Sequence, residues 1–289
     1  MSRIDFQARE INWVEKSDRM VLLLEDDTTL SVTPLDSGLE AEVMKISSPE
    51  SDFVLKVWNK ESQPNVQFQY EILNALHTHG SAVSKPVGWG YEVNGHQVLL
   101  TSYDGTPIDK VDQPKLKKLA KNLNDVHKFP LDRLTGSALP SYDLIDYFYP
   151  QVDQHPDIQD LLVKLVQRAD LKPVCMIHGD YHLGNILESE GKLTVIDWTN
   201  VQIGDPRYDI AWSIILMWIY VSEKWASFYR TAFCAESRYG EDELELFEAI
   251  ACLRGILLFR ANNLPIRHDT ISRLKSIVTT NQYLHGKLL

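Results

Sequence analysis

The rhythm of hydrophobic and polar positions changes near residue 105. Over the first hundred residues, apolar side chains come in short runs broken by turn-forming residues, a pattern that predicts strands joined by hairpins. Residues 20–24 and 29–33 flank Glu25-Asp26-Asp27, and residues 43–46 and 53–58 flank the polar segment 47–52. Residues 91–93 and 97–101 flank Asn94-Gly95, a two-residue hairpin signal. One helix is predicted among these strands, over 65–78, where Phe68, Ile72, Leu73 and Leu76 share a face and Gly80 follows as a stop.

Beyond Asp104-Gly105 the spacing turns helical. Leu116, Leu119, Leu123 and Val126 recur with lysines between them, and further helices are predicted over 156–169, 209–230, 241–262 and 268–284. Residues 135–153, rich in Tyr, Pro and Asp, read as an irregular connection. One compact stretch, 174–198, reads as strand, loop, strand, a turn at Glu190-Gly191, and strand. No internal repeat or low-complexity segment occurs. The expectation is an α+β chain of two lobes, strand-rich over 1–103 and helical over 104–289, with a ligand cleft between them.

Composition narrows the function classes. The chain has 289 residues, 44% apolar and 24% charged, the balance of a soluble globular protein. A formal charge of −11 argues against nucleic acid as a partner and suits a cationic small substrate. Cys175, Cys234 and Cys252 are scattered, which predicts reduced thiols in a cytoplasmic protein, Cys175 among them as inert packing. The first residues lack the apolar core of a signal peptide. The longest apolar run, 210–221, falls short of the roughly 20 residues that span a bilayer, so it is expected to be a buried helix.

The candidate chemistry lies within 174–198. Asp180 is followed five residues later by Asn185, and twelve after that by Asp197. Phosphoryl transfer needs a base that orients the attacking hydroxyl, and oxygen ligands that hold magnesium against the nucleotide phosphates. The spacing H-x-D-x-x-x-x-N, with a later Asp at the end of an apolar strand, supplies those parts. Met176-Ile177 and residues 193–196 place the polar groups at strand ends, and Leu187 continues the loop into a strand that would floor a nucleotide pocket. Residues 179–182 also match the GD-x-H fragment of binuclear metallophosphoesterases. No G-N-H follows, and the upstream Asp125-Val126-His127 falls inside an amphipathic helix, so the kinase reading is preferred.

HGDYHLGNIL and VIDWTNVQIGDPRYDIAW together resemble the catalytic signature of the aminoglycoside phosphotransferase and choline kinase-like superfamily. The resemblance implies a two-lobed protein kinase-like fold that transfers the γ-phosphoryl of ATP, or of GTP, to a hydroxyl of a small molecule with Mg2+. It implies Asp180 as catalytic base and Asn185 and Asp197 as magnesium ligands. His178 would fix the loop as a buried hydrogen bonder, and Asp209, opening the apolar helix, would support the loop by capping free amides. From the front lobe it implies Lys56 paired with Glu71 and a phosphate-covering loop around Ser37 and Gly38. It also implies a hinge over 101–104, with Ser102 and Tyr103, that binds the adenine edge.

Gly179 stands where protein kinases carry Arg, and only residues 199–203 separate Trp198 from Gly204, leaving no room for a phosphorylation-controlled loop. Acidic residues 241–245, and Trp212, Trp218 and Tyr220, are candidates for binding a cationic acceptor, but a solvated helix start and helix core are the preferred readings. Two alternatives stay open: a non-catalytic, pseudokinase-like nucleotide-binding module, and a housekeeping choline, homoserine or sugar kinase.

Overall fold

The computed structural model describes residues 11–18, 30–35, 41–59, 64–134, 138–237, 239–285 and 288–289. Two compact units make up the chain. One comprises Met1–Thr106, Asp132–Ala138 and Leu187–Thr199; the other comprises Pro107–Leu131, Leu139–Ile186 and Asn200–Leu289.

The first unit is built on a six-stranded antiparallel sheet of order β1-β5-β6-β4-β3-β2. Its strands are β1 (Ile11–Lys16), β2 (Ser31–Pro34), β3 (Ala41–Ser47), β4 (Asp52–Trp58), β5 (Pro86–Glu92) and β6 (Gln97–Ser102). Alternation along β3, β4 and β6 sends Met44, Ile46, Phe53, Leu55, Val98 and Leu100 into one core. β5 ends at Glu92, one residue before the expected strand end, and residues 93–96 turn into β6 with Tyr91 opposite Gln97; Gly95 takes φ 88° and its amide donates to the Glu92 carbonyl at 2.8 Å, so the loop is longer than the two-residue hairpin expected at Asn94-Gly95. Helix α1 (Val66–Thr78) starts where the Asn65 side chain accepts the Phe68 amide at 3.0 Å, and it packs on β5 and β6. The predicted strand over 20–24 and its acidic turn lie outside the described residues. Strand β1 has no counterpart among the expected strands, because alternation in Ile11–Lys16 stops after Trp13, where an exposed Val14 is followed by Glu15 and Lys16.

A three-stranded sheet of order β10-β9-β7 uses β7 (Thr106–Pro107), β9 (Ile186–Ser189) and β10 (Lys192–Val195). Glu190 and Gly191 both take positive φ, 50° and 77°, which suits a two-residue hairpin.

The second unit is helical. It holds α2 (Gln113–His127), α3 (Leu144–Phe148), α4 (Pro156–Ala169), α5 (Pro206–Tyr220), α6 (Glu223–Ser237), α7 (Glu241–Arg260) and α8 (Thr270–Thr280). It also holds the short antiparallel pair β8 (Cys175–Ile177) and β11 (Gln202–Gly204). The apolar run 210–221 is the buried α5, packed among α6, α7 and α8. Ile210, Ile214, Ile215 and Ile219 are all within 1% of full burial, each contributing about 1.5–3 kcal/mol. Among the described residues no helix is long and apolar enough to cross a membrane.

The single helix expected over 209–230 is two helices. Its break comes at Ser222, whose hydroxyl accepts the Trp225 amide at 3.3 Å and starts α6 as an N-cap. The acids of 241–245 open α7, and two of them bind this chain's own residues. Glu243 receives Arg207 Nη1 at 2.7 Å, and Glu245 receives Gln282 Nε2 at 2.7 Å.

Candidate active site

Strand β8 delivers its chain into a loop, 178–185, whose path is fixed largely by α5. Asp209 lies in the first turn of that helix, fully buried. Its carboxylate accepts the amides of His178 at 2.8 Å and Gly179 at 2.9 Å, and stands 3.0 Å from His127 Nε2 of α2. Burial alone would raise the Asp209 carboxyl; the hydrogen bond and charge of His127, with His178, outweigh it and hold it below the ordinary carboxylate range. The helix cap itself is Asp205, which accepts the Arg207 amide at 2.9 Å ahead of Pro206. Asp209 therefore caps the loop and not its own helix, because the helix opens three residues earlier than the sequence reading placed it.

Gly179 takes φ +78°, and a Cβ there would come within 2.8 Å of the Asn200 backbone oxygen and 3.2 Å of the Phe148 ring. No L side chain fits, which accounts for glycine where protein kinases carry Arg. Gly179→Ala is expected to cost about 1–3 kcal/mol, read as a lower urea midpoint. The rest of the loop is tied down as well. The Asp180 amide donates to His178 Nδ1 at 3.2 Å, Tyr181 Oη donates to the Leu119 carbonyl at 3.0 Å, and Arg254 of α7 donates to the Gly179 carbonyl at 3.1 Å.

The Asp180 side chain is partly buried. Trp212 Nε1, from α5, donates to Oδ1 at 2.8 Å, while Oδ2 lies 3.5 Å from His182 Nε2. Asn185 Nδ2 donates to the Asp180 carbonyl at 3.0 Å and lies 3.4 Å from Oδ2. The Arg254 guanidinium sits over Trp212, 4.2 Å from its centroid, and over Phe148 at 4.5 Å. Burial would raise the Asp180 carboxyl, but the hydrogen bond and charge of His182, the charge of Arg254 and the Trp212 hydrogen bond hold it well below the usual carboxylate range. It is ionised at neutral pH. Asp180 also lines a cavity of about 660 Å³ within this unit, walled in part by Trp212, Met217, Tyr220, Arg254 and Arg267. Trp212, read from sequence as core, is both core and a partner of Asp180. Trp218 packs among the helices instead. Arg254 has no signal in the sequence as a site residue, while the D-x-H reading of His127 and the cation-binding reading of Trp212 foretell neither residue's bond here.

The remaining candidates lie in the first unit. Lys56 is half-buried on the face of β4 opposite Phe53, Leu55 and Val57, with Nζ 5.9 Å from the Trp58 ring. The expected ion pair with Glu71 is not formed: Glu71 Oε1 accepts from Gln67 Nε2 at 2.9 Å, and a half-exposed Lys56 needs no buried countercharge. The amide of Ser102 donates to the Lys85 carbonyl at 2.9 Å and that of Tyr103 to the Asp52 carbonyl at 3.1 Å. Both amides are thus engaged within this unit. Leu187 is buried in β9. Asp197 follows β10 in the left-handed region, φ +63°, and its Oδ1 accepts the Thr199 hydroxyl at 2.6 Å. Ser37 and Gly38 lie outside the described residues.

Among the described residues no cluster of three or more His, Cys, Asp or Glu forms a closed metal cage. Magnesium does not ask for one, since it uses one or two protein oxygens together with substrate phosphates. Asn185 fits that chemistry: with Nδ2 given to Asp180, its hard Oδ1 is the atom left for a cation.

A family model described as the phosphotransferase enzyme family matches residues 31–247. Among solved structures, an amicoumacin kinase in complex with AMP-PNP and Ca2+ is similar at TM-score 0.65 and 14% identity, covering 94% of this chain and 96% of that one. A thermostable mutant of the aminoglycoside phosphotransferase APH(4)-Ia matches at TM-score 0.62 and 18% identity, covering 91% and 99%. Choline kinase from Streptococcus pneumoniae matches at TM-score 0.62 and 15% identity, covering 91% and 98%. A comparison with curated proteins finds no match. The fold is α+β and protein kinase-like, an antiparallel N-terminal sheet followed by a helical region. With the family model spanning most of its length, the chain belongs to the phosphotransferase enzyme family.

Proposed function

We propose that this protein is a small-molecule kinase that transfers the γ-phosphoryl of ATP, with GTP as the alternative donor, to a hydroxyl of an acceptor bound in the cavity beside Asp180. The observation that carries this reading is an ionised carboxylate, aimed by Trp212 and His182, in the wall of a cavity of ligand size. Asp180 orients the acceptor hydroxyl and takes its proton as the new O–P bond forms. A weak base suffices, because the transferring phosphoryl has a loose transition state and the proton leaves late.

Asn185 and Asp197 are each offered as oxygen ligands that would hold magnesium, which when bound would supply charge neutralisation on the nucleotide phosphates. Lys56 meets the phosphates, the loop at Ser37 and Gly38 covers them, and Leu187 floors the base. Residues 1–103 serve as the nucleotide-clamping lobe and 104–289 as the catalytic and acceptor-binding lobe. His178 and Asp209 keep the loop in place by the bonds described above. The enzyme is active without loop phosphorylation and works in the cytoplasm, which supplies ATP and keeps Cys175, Cys234 and Cys252 as free thiols.

Purified protein given Mg-ATP or Mg-GTP and a panel of hydroxyl compounds is expected to release ADP or GDP with one acceptor class. Magnesium-dependent nucleotide binding in calorimetry, with no turnover across the panel, would instead establish a non-catalytic nucleotide-binding module. Lys56→Ala is expected to raise the nucleotide KM about tenfold, a loss near 1.4 kcal/mol. Glu71→Ala, whose carboxylate bonds Gln67 and not Lys56, is expected to change it less than about threefold.

A further inference from the structure

The acceptor cavity is a poor container for a cation. Its body is apolar, formed by Leu216, Met217, Val221, Leu258, Leu264 and Pro265. Two aromatic side chains, Trp212 and Tyr220, could in principle hold an ammonium group on their faces. Both faces already carry a guanidinium: Arg254 lies 4.2 Å from the Trp212 centroid and Arg267 lies 5.2 Å from that of Tyr220. An entering ammonium would meet like charge beside both rings. The carboxylates of the wall are Asp109 and Asp180, no more numerous than its two arginines. Asp180 is already engaged by Trp212 and His182. Of the acids at 241–245, none lines this cavity, and Glu243 and Glu245 bind Arg207 and Gln282.

The two arginines differ in what they have left to give. Arg254 is committed to the Gly179 carbonyl and to its aromatic stack. Arg267 is exposed; its side chain donates one bond, from Nη1 to the Tyr220 carbonyl at 3.3 Å, and forms no ion pair among the described residues. A guanidinium has five N–H donors in a planar fork that matches an oxyanion two bonds at a time.

Resting on the kinase reading above, we infer that the phosphate acceptor is an amphiphile with an apolar body and an oxyanion group that pairs with Arg267, and not a polyamine or a quaternary ammonium alcohol. The apolar body lies along the leucine, methionine and proline wall, and the hydroxyl is presented to Asp180. The same fork would take a carboxylate or a phosphate, so both belong in the test.

The experiment uses the whole chain with Mg-ATP and four probes of one medium chain length: an ω-hydroxy fatty acid, its methyl ester, the matching hydroxyalkyl phosphate and the matching amino alcohol. A polycationic aminoglycoside serves as a fifth. ADP release gives KM and kcat, and calorimetry without nucleotide gives binding. The acid or the phosphate is expected to show a KM about tenfold below the ester and lower still relative to the amino alcohol. Arg267→Ala should erase the difference between acid and ester, and Arg267→Glu should turn the preference towards the amino alcohol; thermal melts confirm that both variants fold. Preference for the amino alcohol or the aminoglycoside by wild type, or an acid preference untouched by Arg267→Ala, overturns the inference while leaving the kinase reading standing. Binding of the acid or the phosphate that depends on Arg267, without ADP release, while another hydroxyl compound of the wider panel is phosphorylated, overturns the acceptor assignment and leaves the kinase reading standing. Failure of every probe both to bind and to react overturns the inference.

Discussion

Asp180→Asn is expected to lower kcat by about 10²–10⁴-fold while leaving nucleotide binding and thermal stability close to those of wild type. The substitution keeps the shape of the side chain, and its Oδ1 can still accept the Trp212 Nε1–H that now reaches Asp180 at 2.8 Å. What is lost is the negative charge and the capacity to accept a proton from the acceptor hydroxyl. Wild-type turnover by the variant would show that another group is the base.

The same residue makes a pH prediction. Because His182, Arg254 and Trp212 hold the Asp180 carboxyl well below the usual range, the acid limb of kcat/KM should lie below about pH 4, with no inflection from this group near neutrality. Trp212→Phe removes a hydrogen bond to the charged form, so it should move that limb to higher pH. A wild-type limb near neutral pH would mean that a different group controls the proton.

Asp209→Ala is expected to cost about 3–5 kcal/mol in stability and to abolish turnover although Asp209 touches no substrate. Truncation leaves the amides of His178 and Gly179 without acceptors in a buried site and removes the partner of His127. Asp209→Asn, which keeps an acceptor oxygen, should fall between the alanine variant and wild type. The pH dependence has a definite sign. The folded carboxyl is depressed, so its contribution is fully present above the unfolded value near 3.9 and is lost as pH falls through the folded value. Urea unfolding of wild type should therefore weaken on acidification below about pH 4 more steeply than that of Asp209→Asn. Equal urea midpoints for Asp209→Ala and wild type at neutral pH would refute the role.

Much of the scaffold was legible because its signals are local. Hairpins announce themselves by two adjacent turn residues, as at Asn94-Gly95 and Glu190-Gly191, and helix α4 by an apolar stripe behind Pro156. The spacing of Asp180, Asn185 and Asp197 is likewise a property of a short segment. Misreadings came where a local pattern had two outcomes. A lysine in the alternating β4 can face a buried glutamate or the open side of a sheet, and Lys56 takes the open side. A helical pattern that runs on from 210–221 through 222–230 looks like one helix until Ser222 is recognised as a cap.

The sequence alone therefore determines the type of chemistry: which oxygens are offered, in what order, and at which strand ends. It does not say who holds them. His127 stands 82 residues from Asp209, Arg254 stands 75 from Gly179, and Trp212 stands 32 from Asp180. In a linear reading each is a helix residue like its neighbours. Only the packing of α2, α5 and α7 turns them inward onto one loop, sets the charge of Asp180 and leaves Arg254 and Arg267 lying on the cavity's aromatic faces. Hydrogen bonds and charge interactions act over a few ångströms of space, whatever the distance along the chain, so the fold decides them.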